Sequence, residues 1–288
     1  MRIQLLSARN WGERISLAFF FIAMGSLIII VFSPWRPMLG WVEDYIGRVS
    51  LIVLLLAAVG SVSRSPQLEK HRQLLTGLLI LASAVSLEWI LGVYWSDHLW
   101  NAVKTPAGLA FQKLNESVIV IGAVILLNKL AGGSLGSIYI QKGDLKSGLT
   151  IGIIAFLVCV AGSIPMAAGL FKAQDLGLAR IITWLPWLLL YALANAAFEE
   201  IMFRGLFLRK LNPFFGKFLS NFLIALVFTG LHGAVTYTSD NILFLAIVFP
   251  LALAWGYVTQ KTDSVWGSIL FHAGTDLPVV LGIFSTLA

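Results

Sequence analysis

Apolar residues run in long blocks along this chain rather than alternating at a period of two. Residues 15–33 read ISLAFFFIAMGSLIIIVFS without one charge. Residues 147–171, 181–198, 219–238, 242–259 and 264–275 are equally free of Asp, Glu, Lys and Arg. A helix needs roughly 20 apolar residues to cross a bilayer core. A membrane β-barrel would show alternation in segments of about ten residues instead. The backbone finds no hydrogen-bond partners in lipid, so blocks of this length predict helices. Nine spans are predicted, near 15–33, 49–62, 74–96, 117–131, 147–171, 181–203, 219–238, 242–259 and 264–286. The second and fourth are short, and without one of them the count is eight. The expected fold is an all-α polytopic transmembrane helix bundle.

Composition agrees. The chain has 288 residues, 58% hydrophobic and 12% charged, against about 25% charged in a soluble domain. The connections 34–48, 97–116 and 132–146 are too short for a soluble domain. The net charge of +6 needs no nucleic-acid partner. With the N-terminus in the cytoplasm, Arg2, Arg9, Arg14, Arg64, Lys70, Arg72, Lys129, Lys142, Lys146, Arg209, Lys210, Lys217 and Lys261 fall on the inner side. Arg36, Arg48, Lys104, Lys113, Lys172 and Arg180 fall outside, which fits the positive-inside rule. Nine spans would then leave the C-terminus outside. The run after Arg14 is too long for a signal-peptide core and no A-x-A site follows it, so it is expected to be a retained first span. The lone Cys159 excludes an intramolecular disulfide and a cysteine-rich metal site, and fits a small packed hydrophobe. Trp35, Trp41, Trp95, Trp100 and Trp266 near span ends suit an interfacial belt. Arg204–Phe218 mixes basic and aromatic residues and is expected to lie along the cytoplasmic interface.

Polar groups change the picture in the last hundred residues. Residues 1–180 read as scaffold; 181–288 hold nearly all the intramembrane polar groups. An ionisable residue in a span costs at least ~2.5 kcal/mol by insertion scales. The chain nevertheless places Glu199, Glu200, Arg204, His232, His272 and Asp276 there, with Glu88 as an earlier single acid of expected structural role. Glu200 and Arg204 are i and i+4, the favoured orientation for a helical ion pair. Glu199 is turned about 100° away and is left available, with Asn195 one turn below it. Phe228 shares a face with His232, and Asp276 with His272. Glutamate, two histidines and aspartate from three spans form a set able to activate water. Each motif has a plainer reading: a lone intramembrane histidine commonly packs or bonds another helix, and the Glu pair can be a structural ion pair. Their concentration within about eighty residues argues for a site. With span ends at 203 and 219, Glu199 lies near one end of its span and His232 past the middle of its own. The offset approaches ~10 Å at 1.5 Å per residue.

No His-Glu-x-x-His occurs, which removes the usual zinc-peptidase helix. Gly132–Gly136 matches G-x-S-x-G but lies in a short loop between spans, outside any strand–helix elbow.

The series Glu199-Glu200-x-x-x-Arg204, Phe228-x-x-x-His232 and His272-x-x-x-Asp276 resembles the motifs of the CAAX-protease and bacteriocin-processing family of intramembrane endopeptidases. The likeness covers about residues 185–285, and elsewhere the chain matches only in being polytopic. The resemblance implies a helical membrane fold, commonly of eight spans, and peptide-bond hydrolysis by a glutamate-activated water. By motif position it implies Glu199 as general base, His232 holding the water, His272 with Asp276 stabilising the oxyanion, and Glu200, Arg204 and Phe228 shaping the site. The best-known members have Asn in place of Asp276; ionised Asp cannot donate a hydrogen bond, so Asp276 either donates when protonated or orients His272.

No cofactor is expected, with zinc as an open alternative, because carboxylate and imidazole from separate helices are both good zinc ligands. The expected partners are a peptide or membrane-protein substrate and the lipid bilayer; oligomeric state is left open. A bacterial source would place the protein in the plasma membrane and favour leader-peptide or membrane-protein substrates over prenylated ones. Competing readings are a proton-coupled transporter using Glu199, Glu200 and His232 as a relay, and a non-catalytic immunity or scaffold protein.

Overall fold

The computed structural model describes residues 11–33, 38–99, 104–233 and 235–287, apart from the side chains of 93–99. Among the described residues nine α-helices follow in order: α1 (Trp11–Ser26, continued by a π-turn Leu27–Val31), α2 (Trp41–Val62), α3 (Glu69–Leu99), α4 (Pro106–Leu130), α5 (Leu145–Leu170), α6 (Leu178–Glu200), α7 (Leu206–His232), α8 (Asn241–Thr262) and α9 (Trp266–Ser285). No strand occurs among the described residues. Side chains such as Phe19, Leu54, Val158 and Ile242 face outward while Glu200 and Arg204 are wholly enclosed. That inside-out polarity is what lipid as solvent imposes, because an exposed leucine costs nothing in hydrocarbon and an exposed charge does.

Among the described residues, eight helical stretches are long and apolar enough to cross a membrane. One of them, Leu178–His232, runs 55 residues through α6, a π-turn at Ile201–Gly205 and α7. It doubles back on itself. At Gly216 the backbone leaves helical geometry (φ 72°, ψ 174°), a conformation open to glycine because it has no Cβ. Across this hairpin Phe203 meets Phe228, with ring centroids 5.1 Å apart. Gln260 of α8 bonds both the Asn212 side chain and the Lys217 carbonyl. The element therefore serves as two antiparallel arms, which reconciles eight stretches with nine predicted spans.

Two sequence expectations are corrected here. The Arg204–Phe218 stretch is not a surface segment throughout: the helix continues through it to Phe215, with Arg204, Phe207, Leu208, Lys210 and Leu211 buried, and its end at Lys217 and Phe218 is exposed. The ~10 Å offset between Glu199 and His232 disappears for the same reason. Both residues stand about 25 Å along their arms from Gly216 at 1.5 Å per residue, and so at the same level. The two spans that read short are also full length, at 22 and 25 residues. Their N-terminal halves carry charge that the chain pairs internally, Asp44 with Arg48 (2.7 Å) and Lys113 with Glu116 (2.5 Å). Counting apolar residues alone cut these helices at the charges.

Ser134 of the G-x-S-x-G match accepts a bond from the Ser137 amide in a 3₁₀ turn, as a cap. Trp41 and Trp266 are exposed at the starts of α2 and α9, as a belt requires. Trp35, Trp100, Arg2, Arg9 and Arg36 lie outside the described residues, as does the side chain of Trp95.

Helix α9, which carries His272 and Asp276, is held against α5 by backbone-to-backbone approach. A Cβ added at Gly267 would stand 2.4 Å from the Gly148 carbonyl oxygen, and one at Gly152 would stand 2.6 Å from that of Gly267. Gly148 and Gly152 are one helical turn apart, the small-residue spacing that lets membrane helices pack closely. Gly267→Val should destabilise the detergent-solubilised protein by about 2 kcal/mol or more, seen as an earlier thermal transition. Gly169→Ala on the same α5, with open space around its Cβ position, should leave that transition in place.

Candidate active site

The site is built where the two arms of the Gly216 hairpin meet α8 and α9. Its floor is an enclosed ion pair. Arg204 donates from Nη1 to Glu200 Oε1 (2.7 Å) and from Nη2 to the Ala252 carbonyl (3.0 Å). Both side chains are 0% exposed. The i,i+4 pairing read from sequence is present, across the π-turn that widens this part of the helix. The guanidinium lies over two rings, Phe228 (4.5 Å) and Trp255 (5.1 Å), which adds cation–π attraction in a dry setting.

Above the ion pair stands His272. Its Nδ1 is 2.9 Å from the same Glu200 Oε1. That oxygen accepts from Arg204 as well, so Nδ1 is the donor. Its Nε2 is 3.4 Å from Glu199 Oε2 and 3.4 Å from Asp276 Oδ1. The ring is further clamped by Trp255, stacked at 3.7 Å and 8°. Asp276 in turn accepts from Asn195 Nδ2 (3.0 Å). Asn195 thus serves Asp276 rather than Glu199, one turn above it.

His232 closes the other side. Its Nδ1 is 2.9 Å from the Phe228 carbonyl oxygen, which can only accept, so this nitrogen carries the proton. A neutral ring then keeps a lone pair on Nε2. Phe228 walls the imidazole at 4.6 Å, as its spacing predicts.

Glu199, His232, His272 and Asp276 all line one cavity of about 1140 Å³, and so do Phe228, Asn195 and Trp255. Glu200 and Arg204 lie behind it. All seven residues singled out by sequence are therefore brought to one place. Glu88 is not among them; it is buried between α2 and α4, within electrostatic reach of Glu116, Lys113 and Arg48. Sequence reading missed Trp255. Nothing distinguished it from the other tryptophans, since its stacking on His272 depends on the packing of α8 against α9. Cys159 faces the same cavity as an apolar wall residue.

Among the described residues, no group of three or more His, Cys, Asp or Glu is disposed to hold a metal ion.

These features define a multi-pass integral membrane protein with a carboxylate–histidine site enclosed among its C-terminal helices. A family model described as type II CAAX prenyl endopeptidase Rce1-like matches residues 181–278. That segment, about a third of the chain, holds every residue of the site, and the match supports a likeness to the CAAX-protease family of membrane endopeptidases. No curated protein and no solved structure matches the chain.

Proposed function

We propose that this protein is an intramembrane endopeptidase that hydrolyses a peptide bond with water activated by Glu199. The observation that carries this reading is the convergence of Glu199, His232 and His272 on one cavity. A water held between Glu199 and the free Nε2 of His232 gives its proton to the carboxylate and attacks the scissile carbonyl carbon. When both nitrogens of His272 carry protons, Nδ1–H is donated to Glu200 and Nε2–H is offered to the developing oxyanion, the kind of preorganised donor that lowers such barriers most. Glu199 then passes its proton to the leaving nitrogen as the C–N bond breaks. Asp276 is bonded by Asn195 on one oxygen and faces His272 with the other. This supports an orienting role for it rather than oxyanion donation.

The cavity favours a peptide or membrane-protein segment over an ion. Most of its wall is apolar, including Ile29, Met166, Leu170, Phe244 and Val248. Beyond the site, toward Gly216, the helices are closely packed, with Phe203, Phe207 and Leu208 all at or near zero exposure. A proton-coupled carrier needs polar groups continuing to both sides, and a non-catalytic scaffold needs no common focus for these side chains. The N-terminus is assigned to the cytoplasm on charge distribution, and a bacterial source would make the plasma membrane its location.

The test is cleavage of a quenched-fluorescent peptide library by purified protein, wild type against Glu199→Gln. Cleavage that persists in the variant at the wild-type rate would overturn the assignment of Glu199. The zinc-dependent variant of the mechanism is tested in the same assay. Activity is expected to survive exhaustive chelation, whereas loss restored by added zinc would establish metal dependence.

A further inference from the structure

The cavity has one feature that the hydrolytic machinery does not use. Among the described residues, Lys113 is the only lysine or arginine on its wall. It comes from the second turn of α4, in the part of the chain that the family match does not reach. Its side chain is 12% exposed. Glu116 accepts a bond from its Nζ at 2.5 Å but does not line the cavity. The ion pair therefore presents its positive end to the cavity and its negative end to the packed helices behind. Two aromatic faces, Tyr191 (5.6 Å) and Phe198 (5.4 Å), hold the ammonium in place. Phe198 is the chain neighbour of Glu199, and the charge of Lys113 is felt at Glu199. Glu116 occupies one of the three ammonium donors; the others remain for a further acceptor.

A lysine carried into an apolar cavity costs free energy unless something there uses it. Pairing with Glu116 answers that cost in part. It does not explain why the cationic end faces the space where a substrate must lie. Resting on the peptidase reading, we infer that Lys113 anchors a carboxylate of the substrate close to the scissile bond, either the C-terminal carboxylate of the chain or an acidic side chain. Such an anchor would set how far from the anionic group the bond is cut, because Lys113 and Glu199 are both held on rigid helices, α4 and α6. The ring faces of Tyr191 and Phe198 restrict the ammonium, so little of its freedom is left to lose on binding.

The experiment measures binding on the Glu199→Gln background, where no turnover is required, so its outcome is separate from whether the protein cleaves. Three pools of fluorophore-labelled octapeptides serve as probes. The first lacks Asp and Glu and ends in a free carboxylate. The second is the same pool as C-terminal amides. The third is amidated with one internal Asp. Fluorescence anisotropy in detergent should show the first or the third pool binding about tenfold or more tightly than the second, the range lost when one partner of a desolvated charge pair is missing. Which of the two gains identifies the source of the carboxylate. Adding Lys113→Met should collapse this preference to near one, and Lys113→Arg should keep it. Where Lys113→Met leaves Glu116 buried and the protein unfolded, Lys113→Met with Glu116→Leu removes the pair together and takes its place. Equal binding of all three pools by the parent protein would overturn the proposal. So would a preference that persists in the Lys113→Met protein, because the lysine would then be structural. Collapse of the preference in a protein without Glu199-dependent cleavage would keep the anchor and remove the peptidase.

Discussion

Replacing Glu199 by Gln should lower the rate of peptide cleavage by about a hundredfold to ten-thousandfold, the usual contribution of a positioned general base. The change keeps the size of the side chain and its place on the cavity wall, and removes the group that takes the proton from water. The loss should appear in kcat rather than KM, because the base acts as the barrier is crossed and contributes little to substrate binding. Folding should be intact: Glu199 Oε2 meets His272 Nε2 at 3.4 Å without a hydrogen bond, and glutamine keeps an oxygen at that position. A purified variant with wild-type thermal behaviour and wild-type turnover would end the assignment.

Arg204→Met should be the most damaging single change to stability. Arg204 is wholly buried and bonds Glu200 and the Ala252 carbonyl. Removing one partner of a buried ion pair typically costs about 3–5 kcal/mol, because the remaining charge is left uncompensated. Here the orphan would be Glu200, which also holds Nδ1 of His272, so loss of the arginine reaches the imidazole through one carboxylate. Thermal unfolding in detergent should shift strongly downward, and cleavage should fall with it. The double change Arg204→Met with Glu200→Leu should recover much of the stability, since apolar residues in place of a buried pair are often neutral or better. It should not recover activity, because His272 would then lack its acceptor. Recovery of both together would show that the pair serves the fold alone and does not orient the histidine.

The contrast between the two variants reflects how the site is layered. Glu199 sits on the cavity wall and its carboxylate has little to do with packing. Glu200, one residue on, is the floor, with its carboxylate shared between Arg204 of the next turn and His272 of α9. A single step along the helix separates a group free to act from a group that ties two helices together. Trp255 completes the arrangement by stacking on His272 from α8, so that three helices fix the plane of one imidazole.

Much of this was legible from local pattern. Blocks of apolar residues about 20 long have one stable outcome in lipid, and charge-free stretches placed most spans correctly. The i,i+4 spacings of Glu200 with Arg204, Phe228 with His232 and His272 with Asp276 are intrahelical, and each pair is found as the spacing predicts. What depends on one helix is written along that helix. The path of the chain from Arg204 to Phe218 was not, because basic and aromatic residues suit an interface and a packed hairpin equally. Only the doubling back at Gly216, with Gln260 spanning its two arms, decided that Glu199 and His232 stand level. The bonds of His272 to Glu200 and of Asn195 to Asp276 join helix positions 72 and 81 residues apart, and the stacking of Trp255 on His272 and the approach of Lys113 to the same cavity also cross between helices. The sequence by itself determined that this is a helical membrane protein and which residues could do chemistry, since hydrophobic length and helical period act locally. The tertiary structure alone decided which of those residues face the cavity and which hold it in shape, because that depends on how the helices pack.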